Sequence, residues 1–381
     1  MVWKECDCVS LRLEFCRLAV VPGSNMSQLC QRYSIARKTG YKWLARFRKE
    51  GEVGLVNQSR RPRTFHEPTD PAMEELILKV RDEHPTWGGR KIRARLQQLD
   101  HERVPSASTI TAILHRHGLI WERESLNRGP MQRFEREHPN ELWQMDFKGE
   151  FRLSNGQWCY PLTILDDHSR FSLLLSACGN EQRPTVQAEL IKAFRRYGLP
   201  RKMLMDNGPP WGVPIAPGSP TMLSVWLMGL DVNVCHGRPY HPQTQGKEER
   251  FHRTLKQEVL QGRTFETLKH VQSHFDTWRE VYNHERPHEA LSLKPPASRY
   301  QVSARAYPEQ LASFEYDESF AVRRVHDTGR LAFGGKVYRV SKAFANRDVG
   351  VRATDQDGIW AVYYRNSKID QLDETRGKPR R

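Results

Sequence analysis

Apolar residues along this chain recur first at helical spacing, then at strand spacing, then helical again, and finally in short strand-like runs. Leu11, Phe15, Leu18 and Ala19 fall at i, i+4, i+7 and i+8, which predicts an amphipathic helix over residues 9–22 closed by Pro22-Gly23. A second helix is predicted over 26–33. After Ser34-Ile35-Ala36 a third runs over 37–50, with Trp43, Leu44 and Phe47 inward and Arg37, Lys38, Tyr41, Lys42 and Arg46 outward. Ala36 stands where a helix start often has a Ser cap, a loss of about 1 kcal/mol. Residues 71–120 repeat the theme. Leu76, Ile77 and Val80 mark one helix, Trp87-Gly88-Gly89-Arg90-Lys91-Ile92 leads through another to Leu96, and a third covers 108–117 before Gly118.

From Glu141 the pattern turns to strands, over 142–151, 159–166 and 170–176, split by Ser154-Asn155-Gly156 and Asp166-Asp167-His168-Ser169. A helix over 184–197 stops at Gly198-Leu199-Pro200, and 202–205 forms a further short strand. A Pro/Gly-rich excursion over 208–220 then precedes a helix near 222–230, a short run over 231–235 and a long helix holding Glu249. Strands and helices mixed this way describe an α/β domain. Helix continues past Leu268 to Tyr282. Short Val/Tyr/Leu-rich runs over 320–367, separated by Thr328-Gly329, Gly334-Gly335 and Asp357-Gly358, then predict a small β-barrel. The domain division that follows is 1–56 and 71–124 as two helix-turn-helix modules, 141–300 as the α/β core and 315–370 as the barrel. Polar, basic linkers cover 57–70 and 125–140; the first either lies along a DNA groove or is simply solvated.

Charge changes this picture. The chain has 60 Lys+Arg against 45 Asp+Glu, a net +15, which favours a polyanionic partner and makes double-stranded DNA the leading one. The first module's last helix would then enter the major groove while basic side chains grip phosphate. No apolar run approaches the ~20 residues that span a bilayer and residues 1–10 hold no signal-peptide core, so a cytoplasmic, nucleoid-associated protein without membrane contact is expected. Seven cysteines without a Cys-x-x-Cys pair read as free thiols, and Cys6 with Cys8 fits no common zinc finger.

In so basic a chain, three acids stand in distinctive phrases: Asp146 in Trp-Gln-Met-Asp-Phe, Asp206 in Leu-Met-Asp-Asn-Gly, and Glu249 in Gly-Lys-Glu-Glu-Arg. Strand alternation sets Trp143, Met145 and Phe147 on one face and Asp146 on the other, so this acid need not sink into the core. Asp206 ends a buried strand, a common place for ligands in α/β sheets. At about 100° per residue Arg253 and Lys256 share the face of Glu249, whereas Glu248 aligns with the apolar Phe251 and Leu255. Glu249 is therefore the expected ligand, with Arg253 and Lys256 on the DNA backbone and His252 a further neighbour. Carboxylates so placed suit a pair of hard divalent cations acting on phosphate. Asp166 and Asp167 are read as structural or capping. The Gly246-Lys247 step lacks the rest of a Walker pattern, and Trp211 either stacks on an unpaired base or pins its loop.

These phrases, in this order and together with His241 to Lys247, Glu249 to Lys256 and Tyr282-Asn283 with Arg286-Pro287-His288, resemble the bacterial insertion-sequence transposases of the integrase-like Asp-Asp-Glu group. The resemblance covers residues 1 to about 367. It implies a ribonuclease-H-like core, two Mg²⁺ or Mn²⁺ ions held by Asp146, Asp206 and Glu249 as the catalytic set, nicking at element ends, and joining of the freed 3′-hydroxyls to target DNA. By analogy, pairing two ends implies at least a dimer. The alternative is a non-catalytic, sequence-specific DNA-binding regulator with the same architecture.

Overall fold

A computed structural model describes residues 8–58, 69–120, 135–212, 219–237, 246–375 and 378–379, and its contacts divide the chain into two units, Met1–Pro68 and Thr69–Arg381. Most of both basic linkers and the phrase from His241 to Gln245 lie outside the described residues.

In the first unit, α1 (Cys8–Val20), α2 (Met26–Arg32) and α3 (Arg37–Glu50) pack around Phe15, Cys16, Ala19, Cys30, Trp43, Leu44 and Leu55. Gly40 permits the close approach: a Cβ there would lie 2.5 Å from Cys30 Sγ and 2.9 Å from the Phe15 ring. The expected stripe on α1 needs correction. Leu11 is 41% exposed, and Cys16, beside Phe15, is fully buried instead, so the inward face is rotated from the one the leucines mark. Asn25 caps α2, accepting from the amides of Ser27 and Gln28, whereas Ala36, with φ −66° and ψ 144°, opens α3 without a side-chain cap. Its backbone already suits a hydroxyl cap, so Ala36→Ser should stabilise this unit by about 1 kcal/mol. Slower hydrogen exchange in the first turn of α3 would show it; unchanged exchange would mean that water satisfies those amides equally well.

The second unit begins with α4 (Pro71–Glu83), α5 (Gly89–Gln98) and α6 (Ala107–Arg116) around Ile77, Val80, Trp87, Ile92, Leu96, Ile110 and Leu114. The Gly-Gly step has a steric reason. A Cβ on Gly89 would fall 2.3 Å from the Ala107 carbonyl oxygen and 2.4 Å from Thr111 Oγ1, so only glycine lets α5 cross α6 this closely.

The α/β core is one mixed sheet of β1 (Trp143–Phe147), β2 (Phe151–Arg152), β3 (Trp158–Asp166), β4 (Ser172–Cys178), β5 (Lys202–Met205) and β6 (Asn233–His236). Its order is β4-β3-β1-β5-β6, with β2 a short hairpin partner of β3. The strand β3 runs antiparallel to both its neighbours β4 and β1, and β5 and β6 run parallel to β1. On one face α7 (Arg183–Tyr197) and α8 (Met222–Gly229) bury Val186, Leu190, Phe194, Leu223 and Leu227 against Trp143, Met145, Ile164 and Met203. On the other, α9 (Gly246–Leu255) and α10 (Leu268–His284) bury Phe251, Leu255, Phe275, Trp278 and Tyr282 against Cys159, Leu165 and Leu175. The edge strand β4 is covered by side chains of α10. Asn283 accepts from the Ser172 amide (2.8 Å) and donates to its carbonyl (3.0 Å), Arg279 donates to the Ser172 and Leu173 carbonyls, and Gln272 accepts from the Ala177 amide and donates to the Leu175 carbonyl. Amide and guanidinium groups thus stand in for a missing strand, leaving little edge for another chain to pair with.

The C-terminal barrel is not borne out. The strands β7 (Ala321–Arg324), β8 (Arg330–Phe333), β9 (Lys336–Arg339), β10 (Asp348–Ala353), β11 (Ile359–Tyr364), β12 (Ser367–Asp373) and β13 (Lys378–Pro379) form two open sheets, β12-β11-β10-β7 and β13-β9-β8. They enclose Leu331, Phe344, Val349, Val351, Val362 and Leu372. Among the described residues β7 pairs only with β10 and β8 only with β9. The reason is local: the turn ending at Gly329 parts β7 from β8, and a 3₁₀ turn, Lys342–Phe344, drops Phe344 between the sheets where closure would need continuous strand. Val225 of α8 enters this core and docks the domain on the α/β sheet.

Candidate active site

Strand pairing brings two of the three acids together. The parallel strands β1 and β5 align Trp143 with Met203 and Gln144 with Leu204, and the same register carried two residues further sets Asp146 opposite Asp206. Asp146 Oδ1 accepts from the Phe147 amide (2.9 Å), and Asp206 Oδ1 from the Gly208 amide (3.0 Å). Glycine is favoured at 208 because a Cβ would come within 3.1 Å of Asp206 Oδ2. Burial first, and then the charge of Asp206, push the Asp146 carboxyl up to about 7, with smaller contributions from Glu181 and Glu249. Burial also raises Asp206, against the Gly208 amide and the charge of His236. A buried carboxyl whose ionisation a neighbouring one opposes forms a site that a cation would relieve.

The helix α9 separates its adjacent glutamates as the helical wheel requires. Glu248 is 1% exposed and shares the buried face with Phe251 and Leu255, while Glu249 is exposed and its charge reaches Asp146. Thr163, on β3 and paired in register with Asp146, is the hub behind the acids. Its Oγ1 lies 2.9 Å from the Asp146 carbonyl oxygen, 3.1 Å from Glu248 Oε2 and 2.8 Å from His252 Nε2. His252 Nδ1 is 3.9 Å from Asp146 Oδ2, but burial and then the charge of Lys148 push its pKa down to about 3, so the contact joins a neutral ring to the acid. Burial, with the charge of Asp146 next, drives Glu248 well above the usual carboxylate range.

Asp146, Asp206 and Glu249 offer only oxygen donors, the chemistry that hard divalent cations prefer. Among the described residues no group of three or more His, Cys, Asp or Glu is drawn closely enough together to hold a metal ion. The structure therefore brings Asp146 and Asp206 side by side and leaves Glu249 within electrostatic reach.

The other expected residues fall as follows. Asp166 is fully buried and accepts from the amides of Asn140 and Ser169 and from Ser169 Oγ; Asp167, equally buried, accepts from the Arg136 amide, Gln144 Nε2 and Lys247 Nζ. Both are structural. Trp211 is 2% exposed and stacks on Phe147 with ring centroids 5.2 Å apart, so it pins its loop. Arg37, Lys38, Tyr41 and Lys42 are exposed on α3, and Arg46, half-buried, donates to Gln58 Oε1. Arg253 and Lys256 are exposed, and the charge of Lys256 adds to burial in lowering the pKa of Lys148, two residues beyond Asp146. Thr163 and Lys148 carried no sequence signal. Their roles come from strand pairing and proximity.

Known families match the chain in series. A homeodomain-like domain matches residues 39–114, the integrase core domain matches 136–242 and again 230–296, and the C-terminal domain of IS481 family transposases matches 320–380. The chain carries an integrase core domain and a C-terminal domain of the IS481 transposase kind. The chain is similar to an uncharacterised 31.7 kDa protein of insertion element IS407 from Burkholderia multivorans, 27% identical over 68% of this chain and 93% of the relative. It is also similar to a putative transposase for insertion sequence element IS5376 from Geobacillus stearothermophilus, at 23% identity over 62% of this chain and 60% of that one. Among solved structures, the HTLV-2 integrase catalytic core domain aligns with 43% of the chain and 99% of its own, at 13% identity and a TM-score of 0.33. The strand order and the family matches identify the integrase core as ribonuclease-H-like. No helix among the described residues is long and apolar enough to cross a membrane.

Proposed function

We propose that this chain is a DNA transposase that binds the ends of its element through the helix-turn-helix modules, cleaves them, and joins their 3′-hydroxyls to target DNA. The observation that supports this best is the register of β1 on β5, which carried forward sets Asp146 opposite Asp206, with the Asp146 carboxyl pushed up to about 7 by burial and by that neighbour. Asp146, Asp206 and Glu249 would hold Mg²⁺ or Mn²⁺, and two bound ions would supply an activated oxygen nucleophile, a stabilised leaving oxygen and charge relief at the phosphoryl group. The chain's own residues do the rest. Lys148 and Lys256 set positive charge beside the acids, suited to DNA phosphates on either side of the scissile bond. Thr163 ties β1, α9 and His252 together, so the strand bearing Asp146 and the helix bearing Glu249 share one anchor. Arg37, Lys38, Tyr41, Lys42 and Arg46 on α3 and Arg253 on α9 are the proposed further DNA contacts, and binding through them weakens steeply with salt. Joining two ends calls for at least two copies of the chain on the DNA.

The test uses a duplex made from the DNA that flanks the coding sequence, cut to the inverted repeat that the proposal expects there. With Mg²⁺ or Mn²⁺, the wild-type chain should nick the repeat and join it to a second duplex, and Asp146→Asn should do neither while binding the repeat with wild-type affinity. Nicking by Asp146→Asn would remove Asp146 from the catalytic set. Repeat binding by wild type without metal-dependent nicking would favour a DNA-binding regulator.

A further inference from the structure

The phrase Tyr282 to His288 has no place in the chemistry just described, yet one of its residues, Arg286, meets a buried carboxylate, that of Glu258. The last turn after α9, Lys256–Leu260, is a π-helix, a widened turn that in other proteins often marks a functional position. Glu258 on that turn is 11% exposed and takes four hydrogen bonds: from Arg286 Nε (3.2 Å) and its terminal nitrogen (3.1 Å), from Trp278 Nε1 (2.8 Å), and from Thr86 Oγ1 (2.9 Å). Burial alone would raise its pKa, but the charge of Arg286 and these donors outweigh it and hold Glu258 below the ordinary carboxylate value. The Thr86 donor comes from the second helix-turn-helix module, 172 residues away in sequence, between α4 and α5.

More of the same module lies along this seam. Arg95 pairs with Glu285, Arg90 lies 3.4 Å from Glu289, and Val281 of α10 packs into the module's apolar core. Tyr282 sits edge-on to Phe251 of α9 with ring centroids 4.9 Å apart, and His288 edge-on to Tyr282 at 5.1 Å. The module, α10 and the end of α9 thus meet at Glu258, only a few helical turns from Glu249.

We propose that Glu258 is a positioning residue through which the second helix-turn-helix module holds α9, and with it Glu249, in place. The inference rests on the reading of Glu249 as a metal ligand. Module and catalytic helix move as one body because the π turn offers a buried acceptor that only the docked module and the Arg286 and Trp278 side chains of the core fill together. Displacing Thr86 then loosens α9 from its C-terminal end while the sheet stays intact.

Hydrogen exchange on the full, metal-free chain tests this. Thr86→Val keeps the shape and removes the donor, and Glu258→Gln removes the charge that Arg286 meets. Each should speed exchange in Gly246–Leu255 about tenfold, the scale of one lost hydrogen bond to a charged group. Thr86→Ser should restore wild-type exchange, and the amides of β1 and β3 should not change in any variant. Exchange in α9 within twofold of wild type in Thr86→Val would overturn the proposal, and so would an equal rise throughout the core, which marks general destabilisation. Mn²⁺ affinity, measured in parallel by calorimetry, should fall in Thr86→Val and in Glu249→Gln. If Glu249→Gln binds Mn²⁺ as wild type does, the metal reading of Glu249 fails, while the exchange data still decide the role of Glu258.

Discussion

Glu249→Gln should lower strand transfer by on the order of 10³-fold, whereas Glu248→Gln, one residue earlier, should keep it within about threefold. The contrast follows from hydrogen-bond accounting at Thr163. A hydroxyl has one hydrogen and two lone pairs, and the Asp146 carbonyl oxygen 2.9 Å away can only accept that hydrogen. The same hydroxyl lies 3.1 Å from Glu248 Oε2 and 2.8 Å from His252 Nε2, and while its one hydrogen serves the Asp146 carbonyl it meets both only with Glu248 in the neutral acid form and the hydrogen of His252 on Nε2. Full burial of Glu248 and the adjacent Asp146 charge favour the same state. A glutamine amide has the same shape and also donates, so it fits the site that Glu248 occupies. Glu249, exposed and unshielded, has nothing to offer a cation once its charge is gone. Equal loss in both variants, or loss in Glu248→Gln alone, would reassign the ligand to Glu248 and void the helix-face argument.

How much of this was legible in the sequence depends on distance along the chain. The split between Glu248 and Glu249 was legible because α9 keeps helical geometry from Gly246 to Leu255, and three or four residues suffice to tell one face from the other. The bounds of α3 and the placing of Asp146 on the strand face opposite Trp143 and Met145 followed for the same reason. Thr163 was not legible, since it reaches Glu248 and His252 only through the antiparallel register of β1 with β3. The phrase Tyr282-Asn283 was visible as a motif but silent as to purpose, because Asn283 meets Ser172 across 111 residues. Leu11 misled because the buried face of α1 centres on Phe15, Cys16 and Ala19, and Leu11 lies at its edge, which periodicity alone does not resolve. Strand spacing near the C-terminus indicated β structure correctly, but whether two sheets close depends on which edges meet, and periodicity carries no information about edges.

Asp146→Asn should make the metal-free core more stable at neutral pH by about 2–4 kcal/mol, and the gain should vanish near pH 4. In the unfolded chain Asp146 loses its proton near its ordinary value of 3.8; in the fold it keeps it until about 7. Between those values the native state binds more protons, so wild-type stability declines as pH rises through the window and stays low above it. The shift is worth ~4 kcal/mol at most, and the side chain's 26% exposure to water pulls the figure toward the lower bound. Asparagine fills the same space without a charge to desolvate or to oppose Asp206, so its stability should lack this slope. Urea midpoints of both proteins at pH 4, 6 and 7.5 would measure the difference. Mn²⁺ should narrow it at pH 7.5, since a cation bound to the native carboxylates stabilises wild type by mass action. Parallel pH profiles would mean that Asp146 ionises freely, and the strain assigned to its pairing with Asp206 would be absent. A gain in stability at the position where activity is lost is what a site built for binding cations requires, because the charges that attract the ion weaken the fold until it arrives.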